Sequence, residues 1–376
     1  MPRPAASRRR CMGAVSLVLA LACPVTAWPW GGATHHYIAQ HYSQHLPAYI
    51  DGLRAYDGTV DQKVTDADSR KSSTPGESPK HFIDIDAYPE FLQGTLTHNR
   101  AALEAQYGVS TVTANGVLPW AVGDVMATLT QQFQAQQWSA AAVTIADLCH
   151  YVGDAHQPLH CTQNYNGQLS GNSGIHSRYE STMMSTYLPY LGTAPMTVAY
   201  YPSSVEEMFS VIGSSWAAVS GLLAADNTAK AASGGSYNST YYGSLWNNTQ
   251  AMTRSRIDSA TVVTASFVYT AWVNAGRPVV PGSTVTVDGG PVAAARFEIG
   301  PTPFRDELTV RFSGTGTFHA EVFDIRGARV AGLAAGTAGA GSATWRPAES
   351  GAGAGVYFVR VTGGGKEKIA RVVYLR

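Results

Sequence analysis

Residues 150–160 of this chain have the sequence His-Tyr-Val-Gly-Asp-Ala-His-Gln-Pro-Leu-His. If the first part of this stretch is helical, His150 and Asp154 stand four residues apart and project from one face of the helix. Pro158 cannot continue a helix, so it should end the helix and leave His160 on the exit loop. Imidazole and carboxylate groups at this spacing are typical zinc ligands.

A second pair of ligand types, His176 and Glu180, repeats the four-residue spacing. A structural zinc site normally closes on four Cys or His ligands, whereas carboxylates together with several imidazoles suit a cluster of zinc ions. The plainer interpretation is that these are ordinary polar residues, since one His on a helix is more often a satisfied polar group than a ligand. The distribution favours the metal, because ten of the 11 histidines lie between His35 and His176 and only His319 lies outside. The pattern predicts a multi-zinc hydrolase.

The N-terminus has the pattern of a secretory signal peptide. Arg3 and three arginines at positions 8–10 precede the short apolar stretch 12–23, and small residues occupy 25–27. We therefore expect residues 1–27 to be removed and a secreted or cell-surface protein to begin at Trp28. The apolar stretch is too short for a stable anchor, and no other segment approaches the length of a transmembrane helix.

The cysteine count and the net charge limit the class of protein to which this chain can belong. After cleavage only Cys149 and Cys161 remain, so the protein does not rely on a disulfide framework; the two can pair or stay apart, and the sequence favours neither. Lys+Arg and Asp+Glu both number 26, which excludes a protein that binds nucleic acid through bulk positive charge. Affinity for phosphate should come from the metals. We expect a monomer.

Apolar periodicity divides the chain into two kinds of structure. Helix-length patterns cover residues 36–44, 118–134, 138–154, 203–225 and 254–275. Gly276 and Pro278 end the last of these, which predicts a mainly α unit over residues 28–276. Residues 277–296 change to Pro, Gly, Val and Thr without helical period and are interpreted as a linker.

The rest of the chain, residues 297–376, alternates in β fashion between Gly-rich turns. The alternating runs are residues 307–312, 319–324, 355–361 and 369–375. This pattern predicts a small all-β sandwich, and it contains no cluster of metal ligand types.

The ligand runs of the helical part resemble the superfamily that joins zinc-dependent bacterial phospholipases C with single-strand-specific zinc nucleases of the mung bean nuclease type. The resemblance covers residues 28–276, and its core is H-x3-D-x5-H followed by H-x3-E. It implies a mostly helical fold with a trinuclear site of three Zn²⁺ ions. One family ligand is the amino group and carbonyl of an N-terminal Trp. Cleavage of the signal peptide would expose Trp28 in this role. Trp30 is the alternative, because residues 30–35 look more like the nucleases.

The other ligands carry over by position. His35 matches the first imidazole ligand and His81 the second, and the loop carboxylate should be Asp68, with Asp66 as the alternative. The resemblance then implies three zinc sites: Asp68, His81, His150 and Asp154; His160, His176 and Glu180; and Trp28, His35 and the shared Asp154. The remaining histidines, His36, His41, His45, His98 and His156, match no ligand position.

The resemblance also implies candidate catalytic and substrate-binding groups. The nucleases carry a cation near the loop carboxylate Asp68, and Arg70 and Lys71 lie just beyond it, where a positive charge can stabilise the pentacoordinate phosphate. Asp84 can accept hydrogen bonds from a base edge, and Phe82 is a candidate stacking platform. The plainer roles for these two are a loop cap and a core residue.

Two substrates are compatible with the superfamily. The last motif ends in Glu180 and follows His160 closely, which looks more like the phospholipases. A choline headgroup needs an aromatic and acidic cage, and the positions that would supply it are Ser69, Ser78 and Gly31. We therefore expect an endonuclease acting on single-stranded DNA or RNA, with phospholipase C activity on phospholipid as the alternative.

The C-terminal unit resembles the β-sandwich sorting domains that follow secreted enzymes using the bacterial type IX route, and residues 303–304, 321–327 and 355–360 carry this likeness. It implies a partner in the export machinery. A carbohydrate- or surface-binding accessory module is the competing interpretation. A zinc-dependent adhesin with structural metals is a further hypothesis, although carboxylate ligands argue against it.

Overall fold

The computed structural model describes residues 31–285, 296–314, 318–336, 339–363 and 366–375. The predicted signal peptide, residues 1–27, and the candidate N-terminal ligands Trp28 and Trp30 lie outside these ranges. The described chain is helical up to the segment ending at residue 285 and β from residue 296 onward. The prediction of a mainly α fold followed by a small β unit is confirmed.

The described α-helices are α1 (Gly32–His41), α2 (Asp57–Lys63), α3 (Asp66–Arg70), α4 (Pro89–Gln93), α5 (Arg100–Tyr107), α6 (Val109–Ala114), α7 (Leu118–Gln134), α8 (Trp138–His156), α9 (Ile175–Ser177), α10 (Met184–Tyr187), α11 (Ser204–Ala217), α12 (Val219–Ala232) and α13 (Ser239–Asn274). Short 3-10 helices span Tyr42–His45, Asp51–Tyr56, Ser78–His81, Ile85–Ala87, Pro158–Cys161 and Leu188–Tyr190, and a π-helical turn spans Arg178–Met183. These elements enclose one continuous hydrophobic core.

Helix α8 is the central helix of this unit and packs against α2, α7 and α13. Its last turns are buried on all sides, since every residue from Leu148 to His156 is buried. Gln157 then adopts an extended backbone, because the residue before a proline is pushed out of the helical region, and Pro158 begins a 3-10 turn that carries His160. The predicted end of this helix is confirmed.

Helices α11 and α12 were expected as one helix over residues 203–225, but the backbone breaks at Ala218. By length and composition alone, the stretch Ser204–Ala232 could cross a membrane, which the sequence expectation had missed. Helix α11 packs on α7 and α8, and α12 packs on α13. Asp226 of α12 is buried in an ion pair with Arg178 at 3.0 Å. The packing of α11 and α12 on these neighbouring helices accounts for the apolar composition of the stretch.

Helix α13 has 36 residues, which corresponds to a length of about 54 Å. It begins at Ser239, where the Asn238 side chain accepts a hydrogen bond from the backbone N–H of Tyr241 at 3.2 Å. The sequence pattern predicted only its second half, because the first half is rich in polar residues. It ends at Asn274, and Gly276 follows with a φ of +87°, as the sequence predicts.

Beyond α13 the chain folds back over the 3-10 helix Asp51–Tyr56. The backbone N–H of Thr284 donates to Asp51 Oδ1 at 2.7 Å. A Cβ at Gly52 would lie 2.3 Å from the Pro281 carbonyl oxygen, so only glycine fits there. The first residues of the predicted linker, 277–285, therefore pack on the helical unit, and residues 286–295 lie outside the described chain.

The β unit consists of two antiparallel sheets. The strands are β1 (Arg296–Gly300), β2 (Leu308–Gly314), β3 (Phe318–Phe323), β4 (Arg329–Gly336), β5 (Gly339–Trp345), β6 (Gly355–Gly363) and β7 (Lys366–Tyr374), in the orders β1-β2-β5 and β4-β3-β6-β7. Aromatic side chains pack between the sheets, as where the rings of Phe312 and Phe318 stack at 4.8 Å. This core is separate from that of the helices. Among its described residues the unit has no group of His, Cys, Asp or Glu placed to hold a metal.

Candidate metal centre

The candidate metal centre is arranged around Asp154 of α8, a fully buried carboxylate. Its Oδ2 lies 2.9 Å from His81 Nδ1 and 3.4 Å from His150 Nε2. Its Oδ1 lies 3.3 Å from His160 Nδ1 and 3.5 Å from His35 Nε2. The two oxygens face different histidines, which is the arrangement expected of a carboxylate shared between cations.

Asp68, His81 and His150 form one group whose ligand atoms all lie within 4.8 Å of one another. Asp68 Oδ1 lies 3.4 Å from His150 Nε2 and 3.8 Å from His81 Nδ1. Asp66, the alternative carboxylate, instead pairs with a lysine on the surface at 3.2 Å. The structure therefore brings Asp68, and not Asp66, to the centre.

His160, His176 and Glu180 form a second group. Glu180 Oε2 lies 2.9 Å from His176 Nε2 and 3.5 Å from His160 Nε2. His176 lies on α9, and Glu180 lies on the π-helical turn that continues it. Such turns are rare and occur frequently at functional sites.

His35 of α1 forms a third group with His150 and Asp154. The rings of His35 and His150 stack with their centroids 3.8 Å apart. The resemblance placed His35 beside an N-terminal Trp, and neither candidate Trp lies within the described residues. Gly31, where the described chain begins, adjoins the centre, because a Cβ there would lie 3.2 Å from the Glu180 carbonyl oxygen.

Backbone carbonyls orient three of the imidazoles. The Nδ1 atoms of His150, His160 and His176 lie 2.7, 2.8 and 2.8 Å from the carbonyl oxygens of Val64, His81 and Tyr165. Metal-ligating histidines usually donate their second ring N–H in this way, which fixes the tautomer. In each of the three, Nε2 is then the free ligand nitrogen.

Several buried polar atoms of the centre have no hydrogen-bond partner within the described chain. They include both ring nitrogens of His35, Nε2 of His81, Oδ2 of Asp68, Oδ1 of Asp154 and Oε1 of Glu180. An unsatisfied buried polar atom costs about 1–3 kcal/mol, and bound cations would remove this cost. The donor set therefore fits a cluster of metal ions, and imidazoles with carboxylates suit zinc.

The two aspartates and His35 are held in the protonation states that bind metal, whereas nearby carboxylates raise the pKa values of His150 and His176 against the effect of burial. Burial raises the pKa of the Asp68 carboxyl, but the hydrogen bond and charge of His150 outweigh it and lower the pKa to about 2. The pKa of Asp154 is held well below its usual value against burial by His150 and His160. Burial lowers the pKa of His35. Ionised carboxylates and a neutral imidazole are the forms that act as ligands.

The two candidate catalytic cations meet different partners. The Lys71 ammonium lies 2.9 Å from Asp68 Oδ1, at the centre itself. The Arg70 guanidinium instead donates to Asp147 at 2.9 Å and to Glu77 at 3.2 Å. Of the two, the structure brings only Lys71 into contact with a ligand candidate.

The substrate-binding candidates lie beside the centre. Phe82 directly follows His81 and is half-buried, packed against Gly116, where a Cβ would lie 2.1 Å from the Phe82 carbonyl oxygen. Burial and the charge of Asp86 raise the pKa of Asp84 to about 6. Phe82 is therefore a partly exposed aromatic residue beside a ligand, and two residues beyond it in sequence Asp84 has a raised pKa.

The five histidines outside the ligand pattern have ordinary structural partners. His36 pairs with Asp61, His41 with the Tyr37 carbonyl oxygen, His45 with Thr261, His98 with Glu206, and His156 with Ser259. None belongs to the three groups. Cys149 and Cys161 are both buried free thiols, so the pairing left open by the sequence is not formed here.

Sequence reasoning missed two residues of the site, Glu77 and Tyr165. Glu77 is 1% exposed and lies 3.8 Å from His81 Nε2, and nothing in its polar loop marks it as buried. The Tyr165 ring is half-exposed and lies 6.4 Å from the His176 ring. An aromatic residue in a polar loop between two ligands was a signal that could have identified Tyr165.

A helical unit in which a shared carboxylate joins three groups of imidazoles and carboxylates has the donor set typical of one class of protein, the multi-metal hydrolases. Residues 29–186 match the family model of the S1/P1 nuclease. All described ligand candidates, from His35 to Glu180, lie within this match. The resemblance of the helical unit to the superfamily of single-strand nucleases and zinc-dependent phospholipases C is thereby confirmed, and the match supports a phosphodiesterase of that type.

The solved structures that are similar to this chain include two alpha-toxins. The alpha-toxin of Clostridium perfringens from an avian strain is 14% identical, with 91% of this chain and 97% of that chain covered at a TM-score of 0.42. The alpha-toxin of Clostridium absonum is 13% identical, with 91% and 96% covered at a TM-score of 0.36. No conclusion about activity follows from similarity at this level. No curated protein sequence matches the chain.

Proposed function

We propose that this protein is a secreted zinc-dependent endonuclease that hydrolyses phosphodiester bonds in single-stranded DNA or RNA. The observation that carries the proposal is the position of Asp154 where three ligand groups meet, inside the segment that matches the S1/P1 nuclease model. Three groups suit three Zn²⁺ ions. The second candidate is a phospholipase C acting on phospholipid headgroup esters.

The side chains of the centre hold and orient what the reaction needs. When bound, zinc lowers the pKa of water toward neutrality and supplies positive charge for the phosphoryl oxygens. Asp154 and Asp68 provide the shared and terminal carboxylates, and the Val64 carbonyl oxygen at His150 Nδ1 directs the Nε2 atom of this ring to the centre. Asp68, His160 and His176 retain 8%, 4% and 8% exposure, so the centre is recessed and reached from their side.

Lys71 is the cation placed to stabilise the transition state. Its ammonium is partly exposed and pairs with Asp68, one of the recessed ligands. A metal cation bound at Asp68 would neutralise that carboxylate in place of Lys71. The Lys71 ammonium would then be free to contact a phosphate oxygen. A donor aimed at charge that develops in the transition state is usually among the larger catalytic contributions.

Two aromatic rings favour an unpaired nucleic acid strand. Phe82 follows one ligand, and Tyr165 contributes its carbonyl oxygen to another, His176. Stacking of a base on an aromatic ring is worth about 1–3 kcal/mol and requires bases that are free of a duplex. Asp84 supplies an acceptor for a base edge on the Phe82 side.

The observation that supports the phospholipase alternative is the loop over residues 162–174, which has no charged residue. Leu169 on this loop is 72% exposed, and an uncharged loop with an exposed leucine suits a lipid surface. Against choline lipids, Ser69, Ser78 and Gly31 offer no aromatic or acidic group for a quaternary ammonium.

Export is part of the proposal. We expect cleavage after residue 27, so that the amino group of Trp28 becomes a ligand for the third zinc, and we expect the β unit to serve export or surface attachment. N-terminal sequencing of the exported protein should return Trp28. A form that retains a few residues before Trp28 should bind one zinc fewer; full zinc content in that form would contradict this ligand.

The deciding experiment measures hydrolysis of single-stranded DNA, duplex DNA, RNA and mixed phospholipid vesicles by the purified mature protein, with and without chelator. Chelator-sensitive cleavage of single strands with intact lipid supports the nuclease. Release from lipid alone would establish the phospholipase instead. The variant His160→Gln should abolish activity, whereas the matched control His41→Gln should retain it.

A further inference from the structure

Residues 191–203, called the strap below, join the ligand-bearing segment that ends at Tyr190 to α11. The strap contains no helix or strand, and side chains of α13 hold its backbone. The Ala199 N–H donates to Ser266 Oγ at 3.1 Å. Similarly, the Tyr201 N–H donates to a threonine hydroxyl of α13 at 3.0 Å.

A histidine rather than a hydroxyl holds the strap at a third point. The backbone N–H of Met196 lies 2.8 Å from Nδ1 of His45. A backbone N–H can only donate, so His45 Nδ1 must carry a lone pair and the ring proton must reside on Nε2. Nε2 lies 3.0 Å from Thr261 Oγ1, whose own proton goes to the Asp258 carbonyl oxygen at 2.8 Å. This chain of hydrogen bonds therefore requires a neutral His45.

Protonation of His45 is incompatible with the bond to the strap. A protonated imidazole carries an N–H on both nitrogens, so its Nδ1–H would point at the Met196 N–H. His45 is only 5% exposed, so little water can separate the two donors. Burial, and after it the charge of His41, lower the pKa of His45. The imidazole is therefore neutral at neutral pH.

The surroundings of His45 offer a positive charge no compensation. The strap has no charged residue, and on α1 the charge of His41 opposes protonation. The other charged groups near the turn act on different partners: Arg54 donates to the Ser43 carbonyl oxygen, Asp57 accepts from the Ser43 hydroxyl, and Arg254 and Asp258 of α13 shift the pKa of Tyr37. Among the described residues no carboxylate pairs with His45.

We propose that His45 is a pH-dependent anchor, which holds the strap at neutral pH and releases it around Met196 when acid protonates the imidazole. The side-chain bonds at Thr193, Ala199 and Tyr201 do not titrate in this range, so the release is local. The anchor needs neither metal nor substrate.

The direction of the pH dependence follows from the two states of the strap. In the released state the imidazole titrates near its ordinary pKa of about 6.5, whereas the bound strap lowers this pKa. The released state therefore gains the proton first. The anchor is complete above about pH 6.5 and weakens as the pH falls, by up to about tenfold in the binding equilibrium for each pH unit.

Amide hydrogen exchange of the whole zinc-loaded mature protein, followed by NMR, tests the anchor. Protection factors remove the intrinsic effect of pH on exchange, and local opening is what they measure. Between pH 7 and pH 5.5 the protection of the Met196 amide should fall by up to about tenfold. The amides of Ala199 and Tyr201, which are bonded to hydroxyls, should keep their protection.

The variant His45→Asn separates titration from hydrogen bonding, because its side-chain oxygen can accept the Met196 N–H but takes up no proton in this range. Its Met196 amide should have the same protection at both pH values. His98→Asn changes an exposed histidine away from the strap and should respond as wild type does.

Three results would overturn the anchor. One is constant protection of Met196 in wild type, and another is an equal loss in His45→Asn. A loss shared by Met196, Ala199 and Tyr201 would assign the acid response to the helical unit as a whole. The ¹⁵N shifts of the wild-type His45 ring need no variant: at pH 7 they should show the proton on Nε2, and a proton on Nδ1 would also overturn the proposal.

Discussion

Lys71 and Arg70 are adjacent in sequence, yet only the Lys71 side chain contacts a ligand candidate. We expect Lys71→Gln to lower kcat on single-stranded DNA about 10²- to 10³-fold, the usual cost of removing one donor to a transition-state oxygen, with KM nearly unchanged. Steady-state kinetics measure both. Lys63→Gln, which loses an exposed pair with Asp66, should leave kcat unchanged. A change confined to KM would assign Lys71 to ground-state binding.

Asp84 gives a prediction about stability and pH. Its pKa is about 6 in the folded protein and about 3.9 in an unfolded chain, so the folded state binds this proton more tightly. The resulting stabilisation is complete below about pH 4 and is lost as the pH rises through 6. Asp84→Asn should therefore unfold like wild type at pH 4 but be more stable at pH 7, by up to about 2 kcal/mol for a partly exposed group.

Urea denaturation of the metal-free protein at the two pH values measures this difference, since the ligand histidines titrate alike in both proteins. The exposed Asp124 serves as a control, and Asp124→Asn should change the free energy of unfolding little at either pH. Equal stability of Asp84→Asn and wild type at pH 7 would mean that the Asp84 carboxyl is not shielded from water.

At the scale of elements, the helix that carries His176 and Glu180 is anchored between these two ligands. Arg178 of the π-helical turn donates to Asp226 of α12 at 3.0 Å, and its Nε donates to the Tyr241 hydroxyl of α13 at 2.9 Å. Both Arg178 and Asp226 are buried, so this clamp sets the position of the second ligand group relative to α8.

We expect Asp226→Asn to lower the zinc content by one ion per chain, because breaking a buried ion pair costs about 3–5 kcal/mol and frees the helix that holds Glu180. Metal analysis after gel filtration measures the content, and hydrogen exchange should increase over residues 175–187. Lys230→Gln removes a partner of Asp226 but leaves Arg178 in place, so its zinc content should equal that of wild type. Unchanged content in Asp226→Asn would show that the metal itself holds this helix.

At the scale of the molecule, the helices and the strands have separate hydrophobic cores, and all described ligands belong to the helical one. We expect a chain that ends at residue 285 to keep its zinc and its activity. Calorimetry should show that the thermal transition of the helical unit is retained while a second transition disappears. Loss of zinc from the shortened protein would show that the β unit supports the centre.

The sequence alone predicted what depends on spacing within one element. The end of α8 before Pro158, the placement of His150 and Asp154 on one helical face, and the alternation of the β unit all follow from local backbone geometry. The ligand types and their clustering also predicted a metal centre. The first half of α13 was missed because its buried face includes Tyr241 and Thr249, whose polar groups hide the apolar period.

Only the tertiary structure decided which side chains meet across elements. Asp66 and Asp68, like Arg70 and Lys71, have similar chemistry and differ by one or two positions, and packing alone turned one of each pair toward the ligand candidates of the centre. The carboxylate behind His81 comes from Glu77, which no periodicity identifies. Distances between separate elements depend on how their buried surfaces fit together, and this long-range packing is not encoded in any local spacing of residues.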